Sequence, residues 1–324
     1  MSNRDELINY LNHTQLCALP QSASLMIELS KNPDNGPQEY AKPISADLGL
    51  STQILRFVNS SFFGFGHQIT SIQMALTLVS VRTIRNFVLW NGLFAMFSNP
   101  RSGPFSLKIL FQDALRRAIF ARTITKRYTQ IDTEETFTCA LMQDMAIPLL
   151  AKKWGDKYVE MFEKTSTGHV RLSTLEREEM GWDHSDAGAI LATNWNLGEI
   201  ISNAVSKHID EVSPLNPACK PTHTDITALS ALLPKVSDGK WFEVLNFVDA
   251  FRKMFGHKLA DISTILDETD TAGNQLAELI NLGKVPKSLN ESWREALGSC
   301  SRGGTDNVLK TEEHLEEYFS QVAV

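Results

Sequence analysis

Cysteine is scarce in this chain: Cys17, Cys139, Cys219 and Cys300 lie scattered through 324 residues with no Cys-x-x-Cys pair. That spacing excludes a zinc knuckle and a disulfide framework, and it reads as reduced thiols in a cytoplasmic protein. Long apolar runs are missing too. The most apolar stretch, Phe87 to Phe97, is interrupted by Asn91-Gly92 and falls well short of the roughly 20 residues that span a bilayer. No apolar segment follows a basic start at the N-terminus, so neither a signal peptide nor a membrane partner is expected. Positive charge is in deficit, with 31 Lys and Arg against 38 Asp and Glu and a net charge of −7, which counts against a generic nucleic-acid coat. Also absent are a Walker-type phosphate loop, Gly-x-Gly-x-x-Gly, Gly-x-Ser-x-Gly and His-Glu-x-x-His, which removes the commonest nucleotide-dependent, hydrolase and metalloprotease readings. What remains, at 43% hydrophobic and 21% charged residues, is an ordinary globular chain long enough for one large or two ordinary domains.

Its apolar residues recur almost everywhere at helical spacing, which predicts an all-α fold. After a short opening helix, Ser24–Ser30 begins a core-facing one, and 32–37 is a loop rich in Pro, Asn, Asp and Gly. Ile54, Leu55 and Val58 share a face of a helix that ends near Asn59. Thr70-x-x-Gln73 fits a capping box for the next helix, and Ser80 can cap the one after. Punctuation by Pro and Gly at 98–104 predicts a seam between an N-terminal helical subdomain, 1–100, and a second one, 105–283. In the second, helices are expected over Leu110–Tyr128, Thr133–Leu150, Leu172–Gly181, Ser185–Asn196, Gly198–His208, Trp241–Phe255 and Ala260–Ile280, with a loop at 213–224. Residues 284–324 read as a polar tail with a short helix from Lys310 to Val322.

Two stretches carry a resemblance. The first runs from Asp47 through Leu55, Arg56, Asn59, Ser60 and an aromatic and Gly turn to Ile69, Ser71, Ile72, Ala75 and Leu76. The second contains Ala140-Leu-Met-Gln143-Asp144-Met-Ala146, Glu176 or Glu179 before Gly181, His184 with Gly188, Trp195 and His208. Together they resemble the HDOD domain, a helical bacterial signalling module related to the HD metal-dependent phosphohydrolases, over most of residues 15 to 280. Departures are Leu48 where Pro often follows the acidic residue, Val79-Ser80 where Leu-Gly is common, and Ala146 in place of Gly. The resemblance implies an N-terminal helical bundle packed on a degenerate HD-like helical bundle.

An active HD phosphohydrolase holds one or two metal ions with adjacent His and Asp, an earlier His and a later acidic or His ligand, and the metal acidifies water and neutralises phosphate. Here Gln143 stands in place of the His, Asp144 remains, and Leu110–Tyr128 contains no histidine. The resemblance therefore implies a pseudoenzyme with no catalytic residue, no cofactor and no favoured metal site. Asp144, His184 and His208 are the residual metal candidates, the two histidines standing where metal-binding relatives of the HD-GYP type carry ligands. The plainer expectation is that His184 packs at a helix start and His208 near a helix C-terminus, where the dipole favours an imidazolium.

Arg116, Arg117, Arg122, Lys126 and Arg127 fall on one predicted helix. Such a run can engage phosphates, but it is expected here to be a solvated helix face. Arg82 and Arg85 are open to the same two readings. Phe62, Phe63 and Phe65, beside Asn59, are expected to plug the joint between the bundles, with partner docking as the alternative. The favoured function is a non-catalytic regulatory module that binds a signalling protein or a small nucleotide, with Asn59, Phe62, Phe63, Arg116 and Arg122 as interaction candidates. The competing readings are a divergent metal-dependent phosphohydrolase acting on a nucleotide or cyclic dinucleotide and, disfavoured, a nucleic-acid-binding regulator.

Overall fold

A computed structural model describes residues 3–18, 20–60, 63–95, 106–167, 170–210, 220–256, 259–280 and 282–300. Among these residues every regular element is a helix, as the periodicity predicts. No helix is long and apolar enough to cross a membrane.

The first half comprises α1 (Asn3–Ala18), α2 (Gln21–Ser30), α3 (Pro37–Ala46), α4 (Leu48–Val58), α5 (Ile72–Val79) and α6 (Val81–Ala95). The residues of the HDOD-like run set the ends of these helices. Asp47 caps α4 by accepting from Leu50 N at 3.0 Å, the role that favours a short acidic side chain at a helix start. Asn59 then holds the exit of α4 against the entry of α5: its Nδ2 donates to Leu55 O at 2.8 Å and Ile69 O at 2.7 Å, and its Oδ1 accepts from Ile69 N at 2.7 Å. The cap of α5 is Ser71, accepting from Met74 N at 3.1 Å, one residue beyond the expected Thr70. Ser80 caps α6 as expected, accepting from Thr83 N at 3.2 Å, but it does so at φ +101°, a backbone region that glycine enters far more cheaply.

The second half comprises α7 (Leu107–Tyr128), α8 (Thr133–Met142), α9 (Ile147–Thr167, kinked at Gly155), α10 (Leu172–Met180), α11 (His184–Asn194), α12 (Glu199–Lys207), α13 (His223–Ala231), α14 (Val244–Phe255), α15 (Ile262–Leu279) and α16 (Leu289–Cys300). Helix α7 runs through the middle, packed on α8, α13 and α15. The single helix expected over Thr133–Leu150 is broken into α8 and α9 by a turn at 143–146. Helix α13, which begins on the Thr222/Asp225 capping box, lies where nearby prolines hide any helical signal.

Contacts run across the expected subdomain boundaries. Helix α1 sits against α11 and is tied to α9 and to the turn between α10 and α11: Asn3 Nδ2 donates to Met180 O at 3.1 Å, Trp182 Nε1 to Asn3 O at 3.2 Å, and Tyr10 OH to Leu149 O at 3.0 Å. The start of the expected tail is docked, because Arg116 donates to Lys287 O at 2.7 Å and Trp293 of α16 packs on Trp241 at 5.9 Å between centroids. The expected seam at 98–104 and the helix from Lys310 lie outside the described residues.

Candidate functional site

Three helix ends meet at one point. The break after α8 leaves Asp144 in a turn closed by Met145 N to Met142 O at 3.0 Å and Ile147 N to Asp144 O at 3.1 Å. Gly181, at φ +76°, ends α10, and Asp183 at once caps α11, accepting from Ser185 N at 2.8 Å and Asp186 N at 3.2 Å. This sharp corner places His184 at the first position of α11. His208 follows the last residue of α12. Gly188 sets the spacing between these two helices, for a Cβ there would meet Val205 Cγ1 at 2.5 Å.

The three side chains converge. His184 Nε2 lies 3.2 Å from His208 Nε2, and Asp144 Oδ1 lies 3.6 Å and 3.4 Å from those two nitrogens. Both rings are oriented from behind. His184 Nδ1 is 2.5 Å from Glu176 Oε2, which also accepts from His184 N at 2.9 Å, while Glu176 Oε1 accepts from the Tyr158 hydroxyl. His208 Nδ1 faces Val205 O at 2.7 Å. The other oxygen of Asp144 takes an ion pair from Arg117 of α7. Burial opposes charge on Asp144, but the Arg117 guanidinium and the two imidazoles outweigh it and hold the carboxyl well below its usual range. For His184 burial disfavours the imidazolium, yet the Glu176 carboxylate lifts its pKa above the ordinary value.

The cluster forms part of the wall of a cavity of about 230 Å³. Its apolar wall includes Ile147, Phe162 and Trp241, and its polar wall includes Asp113, Arg171, Lys235 and Asp238. Burial pushes the Asp113 carboxyl up to about 6 against the pull of Arg117, and raises Asp238 as well. Arg171 is taken by Glu243 at 2.6 Å.

The expectation that His184 and His208 merely pack is thus incomplete, because with Asp144 they form one donor cluster. The full HD-type cage does not fit this chain. Gln143 is buried and turned away, its Nε2 donating to Ala140 O at 2.8 Å, and its Oε1 meets no partner among the described residues. Three donors for a single ion do fit.

The basic run on α7 is only in part the solvated face expected of it: Lys126 and Arg127 are exposed and Arg122 is half-buried, but the first two arginines turn inward. Arg116 is buried, donating to Lys287 O at 2.7 Å beside Asp270, so it is no surface contact. Arg117 is equally buried. Arg122 pairs with Glu134 at 2.7 Å and Arg127 with Glu268 at 2.8 Å. Arg82 pairs with Glu135, and Arg85 is buried, its Nε on Asn86 Oδ1 at 3.0 Å. Phe63 packs on Phe57, 4.9 Å between centroids, with Arg122 over its outer side at 5.9 Å. That is the plug expected at the joint; Phe62 lies outside the described residues. Sequence reasoning misses the role of Arg117, although Asp113 four residues before it on an otherwise apolar face signals an inward-facing charge pair.

Comparison with known proteins agrees with this architecture. The HDOD domain model matches residues 16–211. An uncharacterised protein of Treponema pallidum (strain Nichols) is 25% identical over 194 residues, 59% of this chain and 37% of that protein, so the match spans little more than a third of that relative. A Shewanella amazonensis SB2B structure, provisionally named a phosphohydrolase, has TM-score 0.61 at 19% identity, over 85% of this chain and 97% of its own. A Marinobacter aquaeolei VT8 structure, provisionally named a signal transduction protein, has TM-score 0.61 at 15% identity, over 86% of this chain and 65% of its own. A Geobacter sulfurreducens HDOD domain protein with unknown function has TM-score 0.51 at 17% identity, over 98% of this chain and 95% of its own. At these identities the solved structures speak for the fold alone.

Proposed function

Because the chain belongs to the HDOD domain family, we propose that it is a non-catalytic signal-transduction module, changing state by binding a small ligand in the cleft or a signalling protein on its surface. The observation that carries this reading is the ion pair between Arg117 and Asp144. A guanidinium stays charged, cannot act as a base and cannot deliver an activated water. It commits one oxygen of the carboxylate that an HD hydrolase turns to its metal, and Gln143 beside it offers no imidazole. The cavity, about 230 Å³, is smaller than the roughly 300–1,000 Å³ of ordinary ligand pockets. It suits one base or one phosphoryl group better than an enclosed cyclic dinucleotide. Cytoplasmic placement belongs to the same reading, with Cys139 free and buried.

The second reading, a divergent phosphohydrolase, is favoured by the convergence of Asp144, His184 and His208. Those three would hold a metal, and the metal would supply an acidified water and charge neutralisation. Incubation of the full chain with manganese and cyclic di-GMP, followed by chromatography, separates the two. The dinucleotide is expected to emerge unchanged; its linearisation by the wild type but not by Asp144→Ala would overturn the proposal.

A further inference from the structure

We infer that Asp144, His184 and His208 form a site for one divalent transition-metal ion of the zinc class, bound without hydrolysis; the inference rests on the non-catalytic reading and supplies that module with a ligand. The donor triangle has edges of 3.2, 3.4 and 3.6 Å. A tetrahedral ion at ordinary zinc–nitrogen and zinc–oxygen distances needs edges of about 3.3–3.6 Å. The side chains need little movement to close on it.

Their chemistry agrees with the spacing. The Nδ1 atom of His208 faces a backbone carbonyl and that of His184 faces a carboxylate, both of which only accept hydrogen bonds. Each Nδ1 therefore carries a proton when the ring is neutral, leaving the Nε2 lone pairs of both rings pointed at one space. Such backing by a carboxylate or carbonyl is how proteins fix imidazoles as metal ligands. Glu176 is itself held by Tyr158, so the backing extends one layer further into the core. Gly188 permits the approach of α11 to α12 that brings the rings together. Two imidazoles and one carboxylate oxygen suit zinc, cobalt or iron better than magnesium or calcium, which favour oxygen-only shells. The cavity that these residues line provides an entry path and room for a water as fourth ligand. One ion is the limit: Arg117 occupies the second oxygen of Asp144, and Gln143 turns inward.

The test uses the full chain stripped with chelator and titrated with zinc against a chromophoric chelator, and separately with cobalt, whose visible absorption reports geometry. One zinc per chain is expected, with an intense tetrahedral-type cobalt band. His184→Ala and His208→Ala should abolish both, and the positioning variant Glu176→Gln should weaken zinc binding roughly 10–100-fold. Substoichiometric zinc, an octahedral-type cobalt spectrum, or binding that persists in both histidine variants would overturn the site. The cobalt spectrum of the wild type decides the matter even if a variant fails to fold. Stoichiometric zinc together with phosphodiester cleavage would instead overturn the non-catalytic reading while leaving the site intact.

Discussion

The two halves of the molecule bury polar groups for different ends. From α2 to α6 the buried or bridging polar side chains mostly address backbone: Asn59 ties α4 to the entry of α5, Ser60 Oγ donates to Phe57 O at 2.7 Å, and serines cap α5 and α6. Rings fill the space between, with Phe57 stacked on Phe87 at 4.2 Å. From α7 onward, charges are buried against one another, Arg117 on Asp144 and Glu176 behind His184, and the fully buried Asp183 is met from the surface by Arg177. Taking charges out of water costs several kcal/mol per ion and adds little stability even when they are paired. The first half is therefore built to hold a shape, and the second spends stability on holding a site. Arg85 departs from the pattern, and it reaches out of the first half towards Asn196 O at 3.5 Å, on the turn between the two histidine-bearing helices.

If this division is real, damage to the two halves should look different. Phe57→Ala removes a fully buried ring and is expected to cost about 3–5 kcal/mol in urea unfolding, with zinc affinity of the folded fraction unchanged; a parallel loss of affinity would break the division. Arg117→Met leaves Asp144 without its counter-charge and is expected to cost about 3 kcal/mol in metal-free protein. Saturating zinc should recover much of that loss in the variant's melting temperature, since a ligand that binds only the folded state stabilises it.

Asp113 gives a pH-dependent version. Its folded pKa, raised to about 6, means that its favourable contribution is complete below its unfolded value near 3.8 and is lost as pH rises through 6. In urea unfolding, Asp113→Asn should therefore add about 2 kcal/mol at pH 8 and almost nothing at about pH 3, because a carboxyl titrating near 6 instead of near 3.8 forfeits somewhat more than that before the surroundings relax. The smallest effect belongs to the first half. Ser80→Gly relieves a φ of +101° but removes a cap, and the balance should be a gain of roughly 1 kcal/mol.

How much of this is legible in the sequence also differs between the halves. The ends of α4 and α6 can be read because capping is local: Asn59 and Ser80 lie beside the groups they serve. The break at 143–146 cannot, because Met142, Met145 and Ala146 keep helical spacing through a tight turn and read as one continuous helix. Arg117 misleads for a related reason, since its partner Asp144 is 27 positions away and a helix-borne arginine usually faces water. Asp144, His184 and His208 can be singled out from the HDOD resemblance, but only packing at Gly188 and the corner at Gly181 bring them within reach of one another. Helix α13 is hidden by the neighbouring prolines at 214, 217 and 221, which outweigh the Thr222/Asp225 box.

The central claim is that the cleft binds without cleaving. Its most direct test is the release of p-nitrophenol from bis(p-nitrophenyl) phosphate by wild type and Asp144→Ala, each loaded in turn with manganese, iron and zinc. The account predicts traces that cannot be told apart; turnover by the metal-loaded wild type that disappears in Asp144→Ala would contradict it.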